Sequence, residues 1–163
     1  QSLKEILANR QYAASRDATR VYVATGEAFD GEMRARIAAH KQQRGPGWVT
    51  RECPLDLVAT LVAEAAATRV VLVDCLTLWL SNLMHAGRDV ESETDRLVRL
   101  LRVIDGPVVF VANEVGMGIV PDNRLAREFR DHAGRMNQAI AAAAQRVVFV
   151  AAGLPLTLKD DAP

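Results

Sequence analysis

A stripe of basic side chains around His40 is the feature of this sequence that most directly suggests chemistry. Segment 31–44 has the pattern of a basic helix, in which Arg36, His40 and Arg44 are spaced four residues apart and Lys41 follows the histidine. Residues four apart share one face of a helix, so these side chains can hold a triphosphate together. Neighbouring cations favour the neutral imidazole, which can attack a phosphorus atom and carry a nucleotidyl group. The pattern alone favours the alternative, a solvated basic helix with an incidental histidine.

Asp74 is a second candidate, because it directly follows the four apolar residues 70–73. Many phosphate-transferring enzymes hold Mg²⁺ near the nucleotide with an acid at the end of a buried strand. An aspartate at a strand end also caps the helix that follows it. The pattern therefore leaves two interpretations open, a magnesium ligand and a helix cap.

The third candidate is segment 113–121, with the sequence Asn-Glu-Val-Gly-Met-Gly-Ile-Val-Pro. Gly116 and Gly118 permit a close approach of the backbone to a ligand or a positive φ. The Gly-x-Gly pattern is common, but Glu114 at a strand end favours a site here. Pro121 and Asp122 are typical of the start of the next helix, and Asp122 is the predicted cap.

The elements that must position these residues alternate between strands and helices. Four short runs rich in valine predict buried parallel strands at 20–25, 69–74, 107–113 and 146–152. Apolar periodicity predicts helices at 2–14, 31–43 and 55–67 and a long helix from 122 to 145, with a connection at 85–93 and a frayed tail at 159–163. Continuous hydrophobicity is typical of strands covered on both faces, and the alternation predicts an α/β fold. Ligands of such sheets bind outside the carboxyl ends of the strands, here at 24–26, Asp74 and 113–114.

The composition excludes several classes of protein. The chain has 163 residues, 50% of them hydrophobic, and a formal net charge of zero, which indicates one globular domain and argues against a nucleic-acid binder. No apolar run approaches the roughly 20 residues that span a bilayer. Cys53 and Cys75 form no metal-ligand spacing and fit a reducing cytoplasm. The chain begins at Gln1 without a methionine, and we expect further residues upstream.

Five stretches of the chain resemble one family closely. They are 23–25, 32–41, Trp48 with Glu52, 73–82, and 113–131 continuing through 134–138. Together they resemble the bifunctional adenosylcobinamide kinase/adenosylcobinamide-phosphate guanylyltransferase family of cobalamin biosynthesis. The resemblance extends from about residue 21 to residue 159.

This resemblance implies an α/β, P-loop NTPase-like three-layer fold with a mainly parallel sheet and flanking helices. It implies that a nucleoside triphosphate, ATP or GTP, phosphorylates adenosylcobinamide, and that GMP passes from GTP to adenosylcobinamide phosphate through a guanylylated His40. The residues expected to bind GTP are Ala24, Thr25, Gly26, Lys41, Gln42, Gln43, Arg44, Glu52 and Asp74, the last of them also beside Mg²⁺. A cytoplasmic homotrimer without a membrane span or nucleic-acid partner is expected.

The sequence departs from the family at its start. Family members begin with a strand and a glycine-rich phosphate loop ending in Gly-Lys-Ser, and residues 1–163 contain no such motif. We therefore expect a single nucleotide-binding domain whose first strand and loop lie upstream of Gln1, because genuine loss of that strand would deprive the Asp74 strand of a pairing partner. The missing loop favours one alternative, a degenerate nucleotide-binding or assembly protein without catalysis. Another P-loop kinase would explain Asp74 but not His40.

Overall fold

Four parallel strands form the main sheet in the part of the chain that the structure describes. The computed structural model of the chain describes residues 19–26 and 47–161. The strands are β1 (Thr19–Ala24), β2 (Trp48–Glu52), β3 (Arg69–Asp74) and β4 (Val108–Val111), in the order β2-β1-β3-β4. The premise that the strand of Asp74 needs the upstream strand as a pairing partner is wrong, because β3 pairs with β1 on one side and with β4 on the other.

Four helices accompany the sheet in the described residues. They are α1 (Leu57–Glu64), α2 (Leu76–His85), α3 (Val90–Leu101) and α4 (Arg124–Ala143). The connection between α2 and α3 is shorter than the predicted 85–93, since α3 begins at Val90 and Asp89 caps it by accepting a hydrogen bond from Ser92 N. Asn123, rather than the predicted Asp122, caps α4. The helices predicted at 2–14 and 31–43 lie outside the described residues.

Alternate side chains of the strands bury two different faces of the sheet. Val21, Val23, Val71 and Val73 pack in one core cluster with side chains from all four helices. Tyr22, Val70 and Leu72 belong to a second cluster and are buried as well. Burial on both faces explains why these strands are continuously apolar. The parallel sheet and its flanking helices confirm the predicted α/β class and are consistent with a three-layer, P-loop NTPase-like fold.

The fourth valine-rich run forms a strand but not in the parallel sheet, so this prediction is wrong in its pairing. It is β5 (Arg146–Ala151), which pairs antiparallel with β6 (Leu154–Asp160) in a separate two-stranded sheet. Ala152 and Gly153 join the strands with φ of 51° and 76°, and two consecutive positive φ values suit a tight hairpin turn. A hairpin closes over two residues, whereas a parallel pairing needs a long crossover.

The predicted fraying of segment 159–163 is also wrong at its start. Lys159 and Asp160 belong to β6. Arg146 and Asp160 form an ion pair across the hairpin, with 2.6 Å between Nη2 and Oδ2. Lys159 Nζ donates a hydrogen bond of 3.1 Å to Ala142 O at the end of α4. These contacts hold the hairpin end against the helix that precedes it.

Across 19–26 and 47–161 no helix has both the length and the apolar character needed to cross a membrane.

Substitutions of two neighbouring residues of α1 test which side of this helix packs in the core. Leu61 is fully buried, whereas Val62 beside it is 64% exposed. We expect Leu61→Ala to lower the free energy of unfolding by about 2–5 kcal/mol, because it leaves a cavity. Val62→Ala, the matched control, should change it by less than about 0.5 kcal/mol. Urea unfolding followed by circular dichroism measures both, and equal effects would contradict this arrangement of α1.

Candidate functional site at the carboxyl edge of the sheet

Three of the predicted site residues meet in one row at the carboxyl ends of the strands. Ala24 is paired in register with Glu52 of β2 and with Asp74 of β3. The row continues through Asp74 to Val111 of β4. Ligands of open α/β sheets bind outside this edge, so the strand pairing brings these residues to the expected place.

Thr25 lies directly beyond β1 and is fully buried. Its hydroxyl Oγ1 donates to Cys75 O over 2.7 Å and accepts from Cys75 N over 2.8 Å. Its backbone N donates to Asp74 O, and its backbone O accepts from Asn82 Nδ2. The polar atoms of Thr25 therefore bind other parts of the chain, and its side chain joins the end of β1 to the residue after β3.

Tyr22 orients the carboxylate of Asp74. The Tyr22 hydroxyl donates a hydrogen bond of 2.6 Å to Asp74 Oδ2. The Tyr22 ring itself packs edge-on against Trp48, with 6.3 Å between ring centroids. Because both ends of the tyrosine are held, the carboxylate has a defined direction at the strand end. Sequence reasoning did not assign Tyr22 to the site, since an aromatic residue inside an apolar strand looks like core.

Asp74 fits a magnesium ion that takes its other ligands from a nucleotide and from water, as is usual in nucleotide enzymes. The described part of the chain contains no group of three or more His, Cys, Asp or Glu side chains that could form a metal site by themselves. Mg²⁺ commonly binds through one or two carboxylates, with substrate phosphates and waters as the other ligands. An oriented carboxylate at the sheet edge meets that requirement.

Glu52 is the exposed end of β2, and Cys53 and Pro54 follow it. Cys53 N donates a hydrogen bond of 2.8 Å to Ala24 O, which continues the β1–β2 pairing one residue past the strand. Glu52 therefore stands at a fixed position beside the 24–26 segment while its carboxylate faces solvent.

Helix α2 contributes two polar side chains that sequence reasoning did not assign to the site. Asn82 Nδ2 donates to Thr25 O over 2.7 Å and to Pro54 O over 3.0 Å. Thr77 Oγ1 accepts a hydrogen bond of 2.7 Å from Asn113 N, the residue that begins the glycine-containing loop. Both side chains interrupt a largely apolar helix, and that interruption was the available sequence signal.

The loop 113–121 follows β4 on the same edge. Glu114 Oε1 accepts a hydrogen bond of 2.7 Å from Gly116 N, so the acid folds back onto its own loop. Arg127 Nη1 donates to Pro121 O and Asp122 O at the other end of the loop. Polar contacts thus anchor the loop at its two ends, and a ligand role for Glu114 stays a prediction.

Both cysteines lie beside this edge, and both are buried and free. Burial raises the pKa of the Cys53 thiol, and it also raises the pKa of the Cys75 thiol. Thiols with raised pKa values stay protonated at neutral pH and are poor nucleophiles and metal ligands. Their role at this edge is packing.

The remaining predicted site residues, His40, Lys41, Gln42, Gln43 and Arg44, lie outside the described residues. Their roles stay predictions. The structure brings together Ala24, Thr25, Gly26, Glu52 and Asp74, which come from three neighbouring strands and the residues directly after β1.

An acid held at the carboxyl edge of a parallel α/β sheet is typical of proteins that handle phosphorylated ligands. Comparison with known proteins gives the particular family. The chain belongs to the cobinamide kinase / cobinamide phosphate guanyltransferase family, whose pattern matches residues 2–158. This membership confirms the resemblance seen in the sequence and the class of enzyme that it implied.

Three relatives with related names support the assignment. The bifunctional adenosylcobalamin biosynthesis protein CobP of Pseudomonas aeruginosa is 46% identical over 142 residues, which cover 86% of this chain and 82% of the relative. The proteins named CobU from Salmonella typhimurium and Escherichia coli are 40% and 39% identical over 154 residues, each match covering 85% of both chains.

Substitutions of Thr25 test its buried hydrogen bonds. Thr25→Val keeps the shape but leaves the N–H and C=O of Cys75 without their partner, which should lower the free energy of unfolding by about 1–3 kcal/mol. Thr25→Ser keeps the hydroxyl and should be more stable than Thr25→Val. Urea unfolding measures the free energy of unfolding of both variants. A valine variant as stable as the serine variant would show that these hydrogen bonds contribute nothing to stability.

Proposed function

We propose that this protein transfers GMP from GTP to adenosylcobinamide phosphate through a covalent intermediate on His40, and that it phosphorylates adenosylcobinamide with ATP or GTP. Family membership supports the two reactions. The structural observation that supports the nucleotide site is the row of Ala24, Glu52 and Asp74 at the carboxyl edge, with Asp74 oriented by the Tyr22 hydroxyl.

In the proposed transfer, a neutral nitrogen of His40 attacks the α-phosphorus of GTP. The N–P bond forms as the bond from the α-phosphorus to the bridging oxygen breaks, and pyrophosphate leaves with that oxygen. A phosphate oxygen of adenosylcobinamide phosphate then attacks the same phosphorus and breaks the N–P bond. The products are adenosylcobinamide-GDP and free His40. A covalent intermediate divides one difficult transfer into two easier displacements.

The electrostatics of the sheet edge require cations for this reaction. Glu52 and Asp74 place carboxylates in one row, and a triphosphate brought beside them is repelled. Lys41 and Arg44, beside the predicted nucleophile, would offset this repulsion. Mg²⁺ held by Asp74 and phosphate oxygens would neutralise charge on the transferring phosphates. Gln42 and Gln43 complete the proposed GTP contacts, together with the 24–26 segment.

The proposed setting is the cytoplasm, with a homotrimer as the working assembly and Mg²⁺ as the metal. The corrinoid substrates are the adenosylcobinamide pair that the family acts on, and no nucleic acid takes part.

Labelling of the protein tests the covalent step. Incubation with Mg²⁺ and GTP labelled at the α-phosphorus should leave acid-labile label on the wild-type chain, and His40→Ala should remove it, because the nucleophile is gone. His85→Ala is the matched control, since His85 is exposed at the end of α2 and should label like the wild type. An unlabelled wild type, or a His40→Ala variant that labels normally, rules the proposal out.

The hydrogen bond from Tyr22 tests the magnesium role of Asp74. Tyr22→Phe keeps the ring against Trp48 but removes the donor to Asp74 Oδ2. We expect the Mg²⁺ concentration for half-maximal labelling to rise about 10- to 100-fold, the usual effect of losing a partner of a metal ligand. Melting curves serve as the control, because loss of one hydrogen bond should cost only about 0.5–1.5 kcal/mol. An unchanged Mg²⁺ dependence would argue against Asp74 as the ligand.

A further inference from the structure

The Asn82 amide binds two separate segments of the predicted GTP site. Asn82 is half-buried on α2, and its Nδ2 atom donates to Thr25 O over 2.7 Å and to Pro54 O over 3.0 Å. Thr25 belongs to the 24–26 segment after β1, and Pro54 stands two residues after Glu52 at the end of β2. A single NH₂ group thus uses its two donors on the two segments.

Asn82 binds the two segments just beyond the point where the pairing of β1 with β2 ends. The β1–β2 register stops at Ala24 and Glu52, and Cys53 N to Ala24 O is the next backbone hydrogen bond. Beyond that point the chain diverges, toward Gly26 on one side and toward α1 on the other. Asn82 spans this divergence from α2, a helix whose side chains Leu76, Trp79, Leu80 and Leu83 are buried in the core.

Helix α2 is itself held next to the ends of β3 and β4. It begins two residues after Asp74, and Thr77 in its first turn binds Asn113 N beyond β4. Trp79 Nε1 also donates a hydrogen bond of 2.7 Å to Leu55 O, close to Pro54. Asn82 therefore ties the ends of β1 and β2 to a helix whose place is set by β3 and β4.

We propose that Asn82 is a positioning residue for GTP binding, which holds the 24–26 segment and Glu52 at the separation that the nucleotide requires. The role of these segments in binding GTP rests on the function proposed above. Asn82 acts through Thr25 and Pro54 and makes no contact with the substrate. Its loss should therefore weaken the binding of GTP and leave the second substrate unaffected.

The substitution Asn82→Leu removes both donors at similar volume. We expect the KM for GTP to rise about 5- to 30-fold, the range that corresponds to one or two modest interactions. The KM for adenosylcobinamide phosphate and the kcat of GMP transfer should stay within about twofold of the wild type, since the variant leaves His40 and its chemistry unchanged. Ser81→Ala, the neighbouring residue on the same helix, is the matched control and should match the wild type in all three constants.

A purely structural role for Asn82 gives a different pattern. It would lower the fraction of active enzyme, and so the apparent kcat, while the KM for GTP stayed unchanged. That result, or an equal rise in the KM values of both substrates, overturns the proposal. If Asn82→Leu does not fold, as judged by urea unfolding, Asn82→Ser takes its place, because a serine hydroxyl is too short to reach both carbonyl groups and predicts the same selective rise.

Direct binding of GTP separates this proposal from the proposed function. A wild-type protein that forms no GMP intermediate contradicts the proposed covalent transfer, while equilibrium dialysis with GTP still measures the effect of Asn82. Weaker GTP binding by Asn82→Leu than by Ser81→Ala supports the positioning role. Equal binding by the two variants overturns it, whatever the wild type catalyses.

Discussion

The hydrogen bonds between Thr25 and Cys75 are the constraint on which the rest of the site depends. The buried hydroxyl of Thr25 binds both the N–H and the C=O of Cys75, and so fixes the ends of β1 and β3 to each other where their ladder stops. A buried backbone group that lost this partner would cost free energy, so the two strand ends cannot separate cheaply. Asp74 is the last residue of that ladder and directly precedes Cys75, and the Tyr22 hydroxyl then directs its carboxylate.

Sequence patterns predicted the strands of this fold better than their partners. The runs at 20–25 and 69–74 form β1 and β3, because continuous hydrophobicity indicates burial on both faces. The same signal at 146–152 predicted a parallel strand, yet this run forms a hairpin with Leu154–Asp160. The burial predicted for this run is not observed either, since no residue of β5 is fully buried in the described structure. Hydrophobicity carries no information on pairing, which the turn at Ala152 and Gly153 decides. Strand β2 was missed, since Trp-Val-Thr-Arg-Glu is too short and too polar to stand out.

The sequence likewise predicted the location of the site better than the roles of its side chains. The rule that ligands bind at the carboxyl ends of strands located Ala24 and Asp74 correctly at one edge, since it depends only on strand order and direction. Glu52, at the end of the missed strand β2, was expected there only from the family resemblance. It could not reveal which atoms face a ligand. Thr25 was assigned to GTP by family resemblance, but its hydroxyl is directed into the fold and bound there. The supporting side chains Tyr22 and Asn82 come from a strand and a helix that look like plain core in the sequence.

The charge distribution explains why so neutral a chain suits a triphosphate. Equal numbers of acidic and basic residues give no long-range attraction for polyanions, so affinity for a nucleotide has to be local. The sheet edge supplies carboxylates at Glu52 and Asp74, which by themselves repel phosphates and attract a divalent cation. The basic residues near His40 in the sequence, Lys41 and Arg44 among them, carry the opposite charge in a separate segment of the chain. GTP bound together with Mg²⁺ would bring a cation to the carboxylates and phosphates to the basic side chains. A free triphosphate or a free metal ion would neutralise the charge of only one of these two groups. With the roles proposed for His40, Lys41, Arg44 and Asp74, selectivity for the magnesium–nucleotide complex over either component would be the expected consequence.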